Sequence, residues 1–333
     1  MPGVQVVVLG PASDKRTQAS VERYGRLAAQ QGGVVSIKFI DSALPEEKVA
    51  AEARDAIALI PASTRVFKTS LIKRLPKLKL VQVTSAGTDW IDKAALGELG
   101  VRVANNGGGN APAVAEHTIA LIFSVYRKYE HQLNSARGRK WATDIPGELE
   151  EFHTLVGKTV GIVGLGRIGS RVAARLAGWE CDLIYHDVAR ISRETEKALK
   201  VTRVPLDELL RTSDVVTLHV PLERTTYHMI GARELKLMKP TAILINACRG
   251  PVVDEAALIQ ALKDRVIFGA GLDVVEVEPT PDDNPLFDLP NVTITPHTAS
   301  RSVESSLAST EFAIQNVTRL AKGQEPESIV PPV

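Results

Sequence analysis

Short apolar, β-branched runs alternate with amphipathic segments along this chain, and they do so in two series. In the first, residues 4–9, 34–40, 58–60 and 80–84 have the length and composition of strands, and 18–31 and 68–75 carry helical periodicity between them. Such alternation restricts the fold sharply. Successive strands separated by helices pair in parallel, because each helix must cross back over the sheet, and both faces become covered. The series stops at VANNGGGNAPAVAEHTIALIFSV. There the glycines at 107–109 break the chain and a long helix begins at Asn110 or Pro112, with Val114, Ile119, Leu121, Ile122 and Val125 among its apolar positions. Alternation resumes at KTVGIVGLGRIGS and runs through 214–221, 242–247, 269–274 and 292–297, with 255–262 among the helical spacers. The segment SRSVESSLASTEFAIQNVTRLAKGQ reads as one more helix, which lacks a partner unless it crosses back to the first series. The expected architecture is α/β: two domains with parallel sheets, Rossmann-like or flavodoxin-like. One domain comprises 1–106 with 299–333, the other 107–298, and a chain of 333 residues is long enough for both.

The second series opens on Gly164, Gly166 and Gly169 in G-x-G-x-x-G spacing, after the apolar run 160–163 and before an Ala-rich helix. In that setting each glycine has a separate task. Gly164 permits the tight turn, Gly166 lets the backbone approach a pyrophosphate, and Gly169 lets helix and strand pack closely. The amides of Arg167 and Ile168, at the helix N-terminus, then face the anion. The next strand ends in Asp187, about 20 residues on, where a carboxylate accepts hydrogen bonds from a ribose and repels a 2′-phosphate. This favours NAD over NADP, with Arg190 and Arg193 close enough in sequence to soften the preference. Because FAD and S-adenosylmethionine use related loops, the glycines do not name a reaction.

Charge excludes several partners. Forty basic and 39 acidic side chains leave a net charge of +1, and no basic block marks a nucleic-acid or anionic-membrane surface. No stretch approaches the roughly 18 apolar residues of a membrane span. The opening MPGVQVVVLG enters a strand at once without a charged leader, so a cytoplasmic protein is expected. Cys181 and Cys248 lack disulfide-framework or metal-site spacing, so packing roles and no metal are expected.

Three polar residues stand out by position, each just past the carboxyl end of an expected strand, where open α/β sheets bind ligands. They are Arg249 after 242–247, Asp273 after 269–272, and His297 after VTITP. An arginine in that place is either a solvated loop residue or a cation aimed at a ligand. The acidic run DVVEVEPTPDD reads, on spacing alone, as a solvated loop. Of the other histidines, His117 lies in the long helix, His186 and His219 at strand ends, and His131, His153 and His228 in polar surroundings. Structural or solvated roles suit most of them.

The order in which these motifs follow one another is shared with a known family. With G-x-G-x-x-G, then NACRG, GLDVVEVEP and PHTAS, and with SAGTDWID and NNGGGNAPAVAEHTIALI earlier, the chain resembles the D-isomer-specific 2-hydroxyacid dehydrogenases over nearly its whole length. The resemblance implies NAD-dependent hydride transfer between NADH and a small 2-oxo acid, or the reverse from a D-2-hydroxy acid, in a cleft between the domains. It implies that Arg249 binds the substrate carboxylate and C2 oxygen, that His297 is the general acid/base, and that Glu278 orients the imidazole. It further implies a carboxylate-binding loop at Ser85, Ala86 and Gly87. Cofactor contacts are implied at Val220, Pro221, Thr226, Ala247, Arg249, Asp273 and His297, with Asp273 holding the carboxamide. A homodimer through the cofactor domain is expected as well, with Trp141 as a residue that reaches the partner's active site or anchors the interface.

The chain departs from the family pattern at Gly107, where proline is frequent and a looser hinge is expected. It also departs at Val275, where an aromatic is common, and at Ala62, where many members have a polar or basic residue. These changes bear on substrate identity. Two other readings stay compatible with the fold: a dehydrogenase of a phosphite- or formate-like donor, and an NAD-sensing interaction protein without significant turnover.

Overall fold

The computed structural model describes residues 3–63, 67–140 and 151–332, so Trp141 lies outside the described residues. Contacts divide the chain into two units: Met1–Asn110 with Arg301–Val333, and Ala111–Ser300.

The first unit holds β1 (Val4–Gly10), β2 (Val35–Asp41), β3 (Ala58–Pro61), β4 (Leu80–Gln82) and β5 (Arg102–Ala104). They pair in parallel in the order β2-β1-β3-β4-β5, the flavodoxin-like arrangement, and the short strand Ile329–Val330 adds antiparallel to β5. The first helix, Lys15–Gln30, begins earlier than its apolar periodicity suggests. The Asp14 carboxylate accepts the amides of Arg16 and Thr17 and so starts the helix ahead of its first core-facing turn. The helix expected over 68–75 contracts to Thr69–Ile72, since Pro76 disfavours helical geometry in the residue before it.

The last helix, Val303–Ala321, is capped by Ser302, whose hydroxyl accepts the Ser305 amide. Its Ala313, Ile314 and Val317 are fully buried against Val6, Val8, Ile60 and Leu80. Asn316 lies beneath the same face. Its amide donates to Gln82 Oε1 at 2.6 Å and to the Glu327 carbonyl at 3.0 Å, while Oδ1 accepts the Glu327 amide. Buried amides of this kind are stable only when their polar atoms are paired, and this pairing ties the chain end to β4.

The glycine turn after β5 is pinned rather than slack. Gly107 sits at φ +64° with the Phe312 ring where a Cβ would go, a conformation closed to proline. Asn105 and Asn106 accept the amides of Gly107 and Gly108.

The second unit holds β6 (Thr159–Val163), β7 (Asp182–His186), β8 (Val201–Arg203), β9 (Val215–Leu218), β10 (Ile243–Asn246), β11 (Gly269–Leu272) and β12 (Val292–Ile294). All are parallel, in the order β8-β7-β6-β9-β10-β11-β12. This is the Rossmann strand order with one further edge strand, and its switch point falls between β6 and β9. β9, β10 and β11 are buried along their whole length, as strands covered on both faces must be. The helix Ala111–Tyr126 approaches β11 closely, because a Cβ on Gly269 or Gly271 would press on Val125 and Leu121. The strand expected over 292–297 ends at Ile294, because Thr295 turns its hydroxyl onto Asp273 and His297 adopts φ +50°.

Among the described residues no helix is long and apolar enough to cross a membrane, and no His/Cys/Asp/Glu cluster is placed to hold a metal. Both cysteines are free thiols, and burial pushes that of Cys248 up to about 11.

Truncating Ile314 to alanine should cost the first unit about 2–5 kcal/mol, the range for deleting a buried aliphatic side chain. Amide hydrogen exchange checks this, with faster exchange expected in β1 and β4 and little change in β9 or β10.

Candidate active site

Because every strand of the second sheet points the same way, the loops that carry the candidate residues leave from one edge. β6 leads into the glycine loop. Gly164 takes φ +91°, and a side chain there would strike the His219 carbonyl and Val220. A Cβ at Gly166 would meet nothing within 4 Å, so the loop backbone stands open to a ligand. At Gly169 it would collide with the Gly164 carbonyl and press on Ile162, which places glycine where helix Gly169–Leu176 meets the strand. The helix N-terminus, with Ile168 at its cap position, has no side-chain cap, and such an end carries the positive pole of the helix dipole towards the loop. These three environments fit a dinucleotide's pyrophosphate, whose resident site this loop would be.

Asp187 follows β7 at the same edge. Its carboxylate accepts the amide of Leu165 at 2.7 Å and that of Ala189 at 2.9 Å, so it is fixed against the glycine loop. The cation that reaches it is Arg203, which donates to the Asp187 carbonyl at 2.7 Å. Sequence points instead to Arg190 and Arg193, since β8 is too short to show in the periodicity. Val220 and Pro221 follow β9, with Val220 against the glycine turn. Thr226 braces that segment: its hydroxyl donates to the Pro221 carbonyl and accepts the Glu223 amide. Ile168 and Ala247 come together with Val114 and Ala299 in a small apolar cluster, joining the glycine loop to the loops after β10 and β12.

Arg249 follows β10. The one polar residue in that strand, Asn246, shapes its loop: Oδ1 accepts the Cys248 amide and Nδ2 donates to the Arg249 carbonyl. Gly250 then lies so close to the next loop that any Cβ would overlap the Val275 carbonyl. The contact is latched by two reciprocal bonds, in which the Glu255 amide donates to Glu276 and the Glu276 amide to Glu255. Val275 is therefore a buried packing residue whose backbone sets the spacing between the Arg249 and Glu278 loops. Nothing in the sequence alone marks Gly250 or Glu276 for this task.

Glu278 and His297 meet directly. His297 Nδ1 lies 2.6 Å from Glu278 Oε2, and Glu278 Oε1 accepts the Val275 amide at 3.2 Å. The hydrogen bond to Glu278 raises the His297 pKa above its ordinary value, assisted by the charges of Glu278 and Asp273 and opposed by partial burial and by Arg249. For Glu278, partial burial pushes the carboxyl up. The bond and charge of His297, the Val275 amide and the Arg249 guanidinium outweigh it, and the carboxyl ends below its ordinary value. With Nδ1 committed to a carboxylate, Nε2 is the nitrogen left to exchange a proton. The His297 side chain is 45% exposed, so that nitrogen is reachable.

Asp273 is 1% exposed and spends both oxygens locally. Oδ1 accepts the Thr295 hydroxyl at 2.7 Å and the Thr298 amide at 2.8 Å, and Oδ2 accepts the Ala299 amide at 2.9 Å. His117 reaches the same group, its Nε2 lying 2.9 Å from Thr295 Oγ1. The remaining candidates, Ser85, Ala86 and Gly87, belong to the first unit, in the turn beyond β4. There the Ser85 hydroxyl donates to the Gly87 carbonyl and the Ser85 carbonyl accepts the Asn106 amide.

Residues 119–299 match the family model described as the D-isomer specific 2-hydroxyacid dehydrogenase NAD binding domain. A glyoxylate reductase from Korarchaeum cryptofilum is 40% identical over 291 residues, covering 87% of each chain. Among solved structures, the holo form of Rhodotorula graminis D-mandelate dehydrogenase superposes with a TM-score of 0.85 at 31% identity, covering 99% of this chain and 98% of that one. A glyoxylate reductase from Paecilomyes thermophila gives a TM-score of 0.84 at 28% identity, with 99% of both chains covered. The chain belongs to the D-isomer specific 2-hydroxyacid dehydrogenases, oxidoreductases that work with a nicotinamide cofactor.

Proposed function

We propose that this protein is an NADH-dependent reductase of small 2-oxo acids that also runs in reverse on the D-2-hydroxy acids, with Arg249, Glu278 and His297 as its reacting set. The observation that carries the reading is the 2.6 Å pairing of His297 with Glu278, within the field of Arg249 and on the same sheet edge as the glycine loop. The bound dinucleotide supplies or takes the hydride. Arg249 grips the substrate carboxylate and C2 oxygen, since a planar guanidinium makes two parallel bonds and polarises a carbonyl as it does so. In reduction, the His297 imidazolium gives its Nε2 proton to the C2 oxygen; in oxidation, the neutral imidazole takes that proton away. Glu278 holds the ring and favours its protonated form. The relatives named glyoxylate reductase make glyoxylate the first acid to try, followed by longer 2-oxo acids.

A turnover assay with NADH and a series of 2-oxo acids tests this reading. Steady reduction of at least one acid is expected, and His297→Ala should lower its kcat by roughly 10²–10⁴-fold with a smaller change in KM. No turnover with any of them would overturn the assignment. The pH profile gives a sharper check. Since Glu278 raises the His297 pKa and the protonated ring is the acid in reduction, activity should persist below that pKa and decline as pH rises through it. Glu278→Gln removes the anion, lowers the pKa and should move the decline to lower pH.

Cofactor choice is assigned to Asp187. Its fixed carboxylate at the end of β7 accepts ribose hydroxyls and opposes a 2′-phosphate, which favours NADH. Asp187→Ser should raise the NADPH/NADH ratio of kcat/KM by about tenfold or more, equivalent to about 1.4 kcal/mol of differential binding. An unchanged ratio would mean that another group, such as Arg203, reads the ribose.

A further inference from the structure

His117 lies on the Ala111–Tyr126 helix, remote in sequence from the reacting set, yet its ring reaches the polar cluster behind His297. Its Nε2 is 2.9 Å from Thr295 Oγ1 and 3.5 Å from Asp273 Oδ1, with the His117 side chain 24% exposed and that of Asp273 1% exposed. The donor and acceptor roles follow by elimination. Thr295 has a single hydroxyl proton and gives it to Asp273 at 2.7 Å, because a carboxylate only accepts. The contact with His117 must then use the other face of the Thr295 oxygen, so Nε2 carries the proton and donates.

The Asp273 residue in turn wraps the segment that presents His297. Its carboxylate takes Thr295 ahead of the histidine and the amides of Thr298 and Ala299 behind it, while its backbone carbonyl accepts the His297 amide at 2.8 Å. His297 itself sits at φ +50°, a left-handed conformation that a histidine keeps only when its surroundings over-determine it. Each of those holding bonds converges on Asp273, and His117 occupies the acceptor side of the Thr295 hydroxyl that Asp273 receives. The helix that carries His117 is seated on β11 by Leu121 and Val125 against Gly271 and Gly269, which gives the donor a rigid base.

We propose that His117 is a positioning residue for His297, acting through the Thr295 hydroxyl and the Asp273 carboxylate. This rests on the reading of His297 as the proton-exchanging group. The ring sets the direction of one hydrogen bond, and the loop that aims the general acid depends on that bond. Loss of His117 therefore reduces the chemical step more than it reduces binding, because Arg249 and the glycine loop stay in place.

The test uses the full chain, NADH and whichever 2-oxo acid it reduces fastest. His117→Ala should lower kcat about tenfold, since a small misplacement of a reacting group has large rate effects, with KM for the acid altered less than twofold. His117→Gln puts an amide N–H near the position of Nε2 and should restore kcat to within about threefold of the wild type. His117→Asn places its amide nearer Nδ1 and should behave like the alanine variant. Thr295→Val should show a loss similar to that of His117→Ala, and the double variant should be no worse than either single one, since both break the same chain of bonds. Wild-type kcat in His117→Ala, equal behaviour of the Gln and Asn variants, or losses that multiply in the double variant would each overturn the proposal. His297→Ala is measured in parallel. If it keeps wild-type kcat, the reading of His297 has failed; if it is crippled while His117→Ala is unaffected, only the positioning role has failed.

Discussion

A parallel sheet has one edge at which its strands deliver their loops, and the second unit of this protein depends on that constraint. Seven strands run in one direction. Glycine loop, Asp187, Val220, Arg249, Asp273 and His297 are scattered over more than a hundred positions of sequence, yet all emerge at carboxyl ends of strands. The sheet brings them to a common side before any side-chain interaction is considered. An antiparallel arrangement of the same segments would send alternate members to the opposite edge.

Common placement alone is too coarse for chemistry, which needs groups within a hydrogen bond of one another. Close backbone contacts supply the finer adjustment. Gly250 lets the Arg249 loop lie directly on the carbonyl of Val275, and Gly169 lets its helix lie on the carbonyl of Gly164. Either site would have to open for a methyl group to fit. The loops after β10 and β11 are then joined by Glu255 and Glu276, and those after β11 and β12 by Asp273. Adjacent loops thus hold one another, and each candidate side chain stands on a base fixed by its neighbour.

Much of this is legible in the sequence because it rests on local pattern. The long buried strands appear as apolar runs, the glycine loop by its spacing between strand and helix, and Arg249, Asp273 and His297 by their place just past a run. What stays hidden is set by contacts between distant segments. Three-residue strands such as Arg102–Ala104 and Val201–Arg203 fall below any periodicity, so the approach of Arg203 to Asp187 has no local signal. Glu278 in its acidic run looks like solvated loop until the partner ring is in view. His117 reads as an ordinary helix residue, because its meaning lies in a hydroxyl 178 positions away. The turn at Gly107 reads as slack in sequence and is held by Asn105, Asn106 and Phe312 in space.

The electrostatics of the proposed reacting set follow from its geometry. A guanidinium beside a histidine favours the neutral ring, yet the proposed reduction needs the ring protonated. Arg249 does oppose the charge on His297, as does partial burial. The hydrogen bond from Nδ1 to Glu278 outweighs both, with the charges of Glu278 and Asp273 on the same side. Glu278 can do this only while ionised, and His297 and Arg249 are among the groups that keep it so despite its burial. Each of the three therefore sets the charge state of another. A substrate carboxylate seated on Arg249 offsets that cation's pull on the ring, so in the proposed reaction binding the anion itself favours the imidazolium that must give up its proton.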